Sequence, residues 1–305
     1  MMRAYLKILS VMLLSVLGVG NAARATKEPL VLKPLTQWVV NYSDDSCRMF
    51  RQFGSDGDKV SLVIDRFGPG DGFNLILVGS PFKYDGVNQE TSVQFGPQEQ
   101  VQNASFFPGN FGKGVPALIQ RGSLSIGKLT DVEAKQAEQN AADGKPEPII
   151  FGPEREAAVT YILIGKPLRQ PVRLETGPMH KPLAALNTCI VNLLTSWGVD
   201  VEKHKTLSKI VTPIGSPGNW IKSDDYPTEA LLSGGQAIVQ MRLSVDEMGK
   251  PTACHIQQTT RGKGFDDAVC GALMRRAKFN PALDADGKPV ASYWRRSVVF
   301  VIPLL

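Results

Sequence analysis

Three of the 34 Lys and Arg residues in this 305-residue chain are Arg3, Lys7 and Arg24, so the formal charge of +5 becomes +5 − 3 = +2 once the N-terminal stretch is set aside. So small a charge gives nucleic-acid binding no electrostatic footing. A composition 43% hydrophobic with charges of both signs excludes a disordered chain, and the length fits two globular domains.

Residues 1–25 place basic Arg3 and Lys7 before an uncharged apolar run, Ile8 to Gly20, and end in Ala23-Arg24-Ala25. This is the layout of a secretory signal peptide with an A-x-A cleavage site, so a mature chain starting near Thr26 in the periplasm is expected. The run falls short of the roughly 20 residues that cross a bilayer. The alternative is an inner-membrane protein held by an uncleaved N-terminal segment. In an oxidising compartment the even set Cys47, Cys189, Cys254 and Cys270 favours disulfides. With no C-x-x-C pair, and with His180, His204 and His255 far apart in sequence, neither a metal site nor a cofactor is expected.

From residue 38 the chain reads as short strands between turns: WVVNY, then Cys47 to Phe53, VSLVIDRF and NLILVGSP, separated by Gly, Pro and Asp clusters. Residues 81–115 are rich in Gly, Gln and Asn and are expected to be mostly loop. TDVEAKQAEQNAADGK has the composition of an exposed helix without an apolar stripe. AAVTYILIG and PVRLETG read as strands. In MHKPLAALNTCIVNLLTSWGV the residues Leu183, Leu186, Ile190, Leu193, Leu194 and Trp197 recur at helical spacing, with Gly198 as a C-cap. Cys189 lies in that stripe and faces the core, where Cys47 can meet it; two buried thiols are the alternative.

The Pro- and Gly-rich residues 209–222 read as a linker between a β-rich domain, 26–208, and a small domain, 223–305. There, AIVQMRLSV alternates cleanly: Ala237, Val239, Met241, Leu243 and Val245 on one face, Gln240, Arg242 and Ser244 on the other. DEMGKP turns the chain into a second strand, ACHIQQT. The helix FDDAVCGALMRRAK has acids at its start, bases at its end and a stripe of Cys270, Leu273, Met274 and Ala277. Cys270 then points inward toward Cys254, which makes a bridge more natural than a nucleophile, because a buried cysteine with no adjacent base is inert; paired free thiols are the alternative. DADGKP makes another turn before a long last strand closed by Pro303. The overall class is α+β.

The small domain resembles the C-terminal domain of the TonB energy-transducer family. The likeness is carried by Tyr226-Pro227 with Ala230, the Gly235 strand ending in Val245-Asp246, Gly249-Lys250-Pro251, the Phe265-Asp266 helix, Arg276-Ala277-Lys278-Phe279 with Pro281-Ala282, and Gly287-Lys288-Pro289. The paired cysteines resemble those of an alphaproteobacterial subgroup. The resemblance implies a periplasmic binding module that recruits the extended TonB box of an outer-membrane transporter by adding it to the edge of the last strand, Val290 to Val301. The residues this implies for partner binding are Val290, Tyr293, Trp294, Arg295, Arg296, Ser297, Val299, Tyr226 and Pro227. Trp294 has a competing reading as core. A homodimer is a further pairing the resemblance leaves open.

Two departures from the family stand out. Residues 1–25 hold no histidine, and no long Pro-rich spacer exists, so coupling to the ExbB/ExbD motor is not expected. No G-x-S-x-G, H-E-x-x-H or Walker pattern occurs, and no enzyme activity is expected. RGSLSIG lacks the elbow glycine two residues before Ser125. The competing function is a structural or envelope-associated periplasmic protein with no transporter.

Overall fold

In the computed structural model, residues 27–55, 59–84, 90–146 and 150–302 are described; the expected signal peptide and Pro303 lie outside them. Five strands open the chain: β1 (Leu30–Leu32), β2 (Val39–Tyr42), β3 (Cys47–Phe53), β4 (Val60–Arg66) and β5 (Asn74–Val78). They are followed by β6 (Glu90–Phe95), β7 (Gln102–Phe111) and β8 (Val115–Gln120). Helices α1 (Asp131–Ala142) and α2 (Pro153–Ala158) lead to β9 (Ile162–Ile164), β10 (Val172–Leu174), α3 (His180–Ser196) and α4 (Val201–Lys205).

The ten strands form one sheet in the order β1-β10-β9-β6-β7-β8-β5-β4-β3-β2. Beyond β1 the chain turns onto the far end of that sheet: Leu35 N–H donates to Gln52 O and Gly54 N–H to Lys33 O, each at 2.8 Å. The sheet therefore curls back on itself, which satisfies edge groups that an open sheet would leave bare. Its concave side holds Met49, Phe53, Leu62, Ile64, Phe73, Phe95 and Phe106, all essentially inaccessible. Against this core α3 presents Leu183, Leu186, Ile190 and Leu193, as its period predicts. Gly198 takes φ of 76° beyond the helix, a backbone state that costs glycine little. Cys47 and Cys189 are joined, pinning the start of β3 to α3.

Two expectations fail here. Of the stretch expected as loop, residues 90–95 and 102–111 are strand, because β6 and β7 alternate through mixed residue types: Thr91, Val93, Phe95, Gln102, Ala104 and Phe106 are buried while Ser92, Gln94 and Asn103 are less so; residues 85–89 lie outside the described residues. AAVTYILIG is not all strand. Pro153 at the first helical position opens α2, and its last turn takes in Ala157 and Ala158. The polar stretch at 131–142 is the expected exposed helix, with no buried residue and a capping box of Thr130 and Glu133.

The second unit comprises β11 (Thr212–Pro213), α5 (Thr228–Leu232), β12 (Ala237–Val245), β13 (Pro251–Thr259), α6 (Lys263–Arg276), β14 (Phe279–Asn280), β15 (Ala282–Leu283), β16 (Pro289–Val290) and β17 (Ser292–Phe300). The antiparallel sheet β13-β12-β17 carries α6 on one face. Both D-x-x-G-K-P turns close alike. Asp246 Oδ1 accepts from the Met248 and Lys250 N–H groups, and Asp284 Oδ1 from those of Asp286 and Lys288. Cys254 and Cys270 are bridged across hairpin and helix. The buried stripe of α6 is Phe265, Val269, Ala272 and Leu273, whereas Met274 is 39% exposed. Leu273 and Ala277 of the expected stripe are buried and Cys270 is bridged; the buried face also takes in the start of the helix, where Phe265 joins an aromatic cluster with Tyr226 and Phe300. The stretch expected as a linker, 209–222, is packed: Val211 and Trp220 are buried, and β11 pairs with β14.

Candidate functional site

β17 is the edge strand of its sheet. Its strand neighbour is β12, in a register running from Ala237 opposite Phe300 to Val245 opposite Ser292. Backbone N–H and C=O groups on the other flank are the natural acceptor for an added strand. The side chains divide by parity, since successive residues of a strand point to opposite faces.

Facing α6, Trp294 packs edge-on against Trp220 at 5.6 Å and, tilted, against Phe279 at 5.3 Å. It therefore belongs to the core of this unit, the competing reading given above. Val298 joins the same cluster, and Arg296 between them is exposed. Tyr226 and Pro227 lie by the far end of β17. The Tyr226 ring meets Phe300 at 5.3 Å and its hydroxyl donates to Gly235 O, while Pro227 immediately precedes α5. Val290 stands apart from the edge, in the short β15–β16 ribbon.

On the opposite face the N-terminal domain covers the sheet. Tyr293 stands edge-on to Trp197 at 5.3 Å and lies parallel to the His204 ring at 6.0 Å. Burial raises its phenol pKa, with Arg295 and Arg242 pulling the other way. Arg295 donates to Pro69 O at 2.9 Å and lies flat on Gly68, where a Cβ would come within 2.6 Å of the guanidinium. Ser297 Oγ is buried without a hydrogen-bond partner, and half-buried Val299 sits opposite Ile238.

The same cover extends over β12 and β13. Arg242 is only 4% exposed, with its guanidinium 4.3 Å from the Trp197 ring and its Nε unpartnered. Loss of hydration lowers its pKa, and burial beside this cation lowers that of His255. A bulge between Gln240 and Met241 in the β12–β13 ladder leaves Gln257 as the extra residue. Its Nε2 donates to Asp45 O at 2.8 Å and Phe67 O at 3.0 Å, while Gln258 donates to Asp65, itself held by Arg48.

The structure thus brings Tyr293, Arg295, Ser297 and Val299 together on a face closed by the first domain, and leaves Arg296 outside it. Sequence reasoning missed Trp197, His204, Gln257 and the Gly68-Pro69 corner. Only the bulge-forming Gln257-Gln258 pair, polar on both parities of a strand, hinted at a second surface. Among the described residues no group of three or more His, Cys, Asp or Glu side chains could hold a metal ion, and no helix is long and apolar enough to cross a membrane.

Residues 222–302 match the family model of the Gram-negative bacterial TonB protein C-terminal, so this part of the chain is a TonB C-terminal domain. No curated protein matches the chain.

Proposed function

With residues 222–302 a TonB C-terminal domain, we propose that this is a periplasmic TonB-like protein that binds and does not catalyse. Its partner is an extended segment, the TonB box of an outer-membrane transporter, added as a strand beside β17. The observation that carries this reading is the edge position of β17, paired with β12 on one flank. Main-chain hydrogen bonding would supply affinity, and alternate side chains preference. Two disulfides fit the oxidising compartment that the reading needs. Motor coupling is not part of the proposal. Transport-linked energy transduction would require the N-terminal segment to stay attached to the inner membrane.

Successive N–H groups of an antiparallel strand alternate between flanks, so of Ser297→Pro and Val298→Pro one removes a donor from the open flank and the other breaks the ladder with β12. The variant that keeps the wild-type unfolding transition is expected to lose at least tenfold in affinity for a synthetic TonB-box peptide. Unchanged affinity in that variant would reject strand addition at β17 and favour the envelope-structural reading.

A further inference from the structure

The first domain does more than cover one face of the sheet. His204, on α4, accepts the Ser292 hydroxyl at Nε2 (2.9 Å) and stacks on Tyr293. Ser292 and Tyr293 are consecutive on β17 and point to opposite faces, so a ring that reaches both must lie beside the strand. The β12 flank is taken by Val245 and Ser244. The ring therefore lies at the open flank by the first residues of β17, where it would meet a strand added in the lane of about 4.8 Å beside it.

Hydrogen bonds hold the ring in this placement. The Asp200 side chain caps α4 through the Lys203 N–H at 3.1 Å, and Asp200 O accepts from the His204 backbone at 2.9 Å. The same carbonyl lies 2.9 Å from His204 Nδ1. A carbonyl can only accept, so Nδ1 carries the proton and Nε2 is left to accept from Ser292. One residue further along β17, Trp294 is gripped from the other face by Trp220, which is anchored through its carbonyl to Arg276 at 2.7 Å. The chain from Asp200 to Trp220 thus straddles the beginning of the edge strand.

We propose that His204, braced by the packing of Trp294 on Trp220, forms a stop that fixes the register of an added strand, confining it to the six positions Arg295–Phe300. The occupant is an extended segment, as in the function proposed above, on which this inference rests. The first domain thereby takes part in selection: a segment that needs pairing along all of β17 is refused, and one whose pairing ends at Arg295 is accepted.

The test is the amide-exchange footprint, read by NMR on the full chain, of synthetic TonB-box peptides six and nine residues long. In the wild type both should protect amides only within Arg295–Phe300, and the longer peptide should bind no more than twofold tighter. In His204→Ala, and more weakly in Ser292→Ala, protection should spread to the one of the Ser292 and Tyr293 amides that points to the open flank, and the longer peptide should gain about fivefold. A wild-type footprint spanning all of β17 would overturn the stop while leaving strand addition intact. No protection anywhere on β17 would overturn both.

Discussion

The two faces of the small sheet use opposite chemistry for comparable burial. Toward α6, Val239, Met241, Leu243, Val269 and Leu273 make an apolar core stapled by Cys254 and Cys270. Toward the first domain, Gln240, Arg242 and Gln257 are buried too, and there Gln257 donates to backbone carbonyls while Arg242 lies over an aromatic ring. Apolar burial is non-directional and supplies most of the folding energy. Hydrogen bonds gain little net energy, yet they cost a good deal when left unmade, so they penalise every other docking arrangement. The first face therefore holds the module together, and the second fixes how the module sits on its neighbour.

If that division is right, Leu243→Ala should have the largest effect. Leu243 is fully buried on the α6 face, and its truncation should cost about 2–5 kcal/mol in urea unfolding. A loss below about 1 kcal/mol would mean that the helix face is not the main source of stability. Gln257→Ala should cost less, about 1–3 kcal/mol, by leaving two carbonyls of the first domain without their donor. The loss should appear as separate unfolding of the two domains. A single unshifted transition would show that the polar seam contributes nothing to coupling.

The smallest effect is electrostatic and lies near the end of α6. Arg276 bonds Asp225 at 2.6 and 3.1 Å and, with the Lys222 N–H, holds its carboxyl down to about 2 from an ordinary 3.8. Because the folded value is the lower one, this contribution is present above pH about 4 and is lost as pH falls through about 2. The difference in urea midpoint between the wild type and Asp225→Asn should accordingly be constant near neutrality and shrink below pH 4. A difference that does not change with pH would remove the ion pair as its cause.

Much of this architecture was legible residue by residue. The stripe from Leu183 to Leu194, the alternation of Ala237 to Val245, both cysteine pairings and the two D-x-x-G-K-P turns are local patterns, each enforced by a helix period, a strand period or a single Asp side chain. Other elements were not legible. The helix at Pro153–Ala158 was hidden in a β-like run, and β6 and β7 alternate through Thr, Gln and Ala as well as apolar residues.

By itself the sequence determined that a TonB-like β-β-α-β module exists, which strand ends it, and that its polar parity is Gln240, Arg242 and Ser244. Alternation distinguishes two faces and cannot say what covers the polar one. Only the tertiary structure decided that this face is buried and that His204 meets the first residues of the edge strand. The groups responsible come from far along the chain: Gln257 meets Asp45 and Phe67, Arg295 meets Pro69, and His204 meets Ser292. No local period encodes such contacts, because they depend on how one completed domain presents its loops to another.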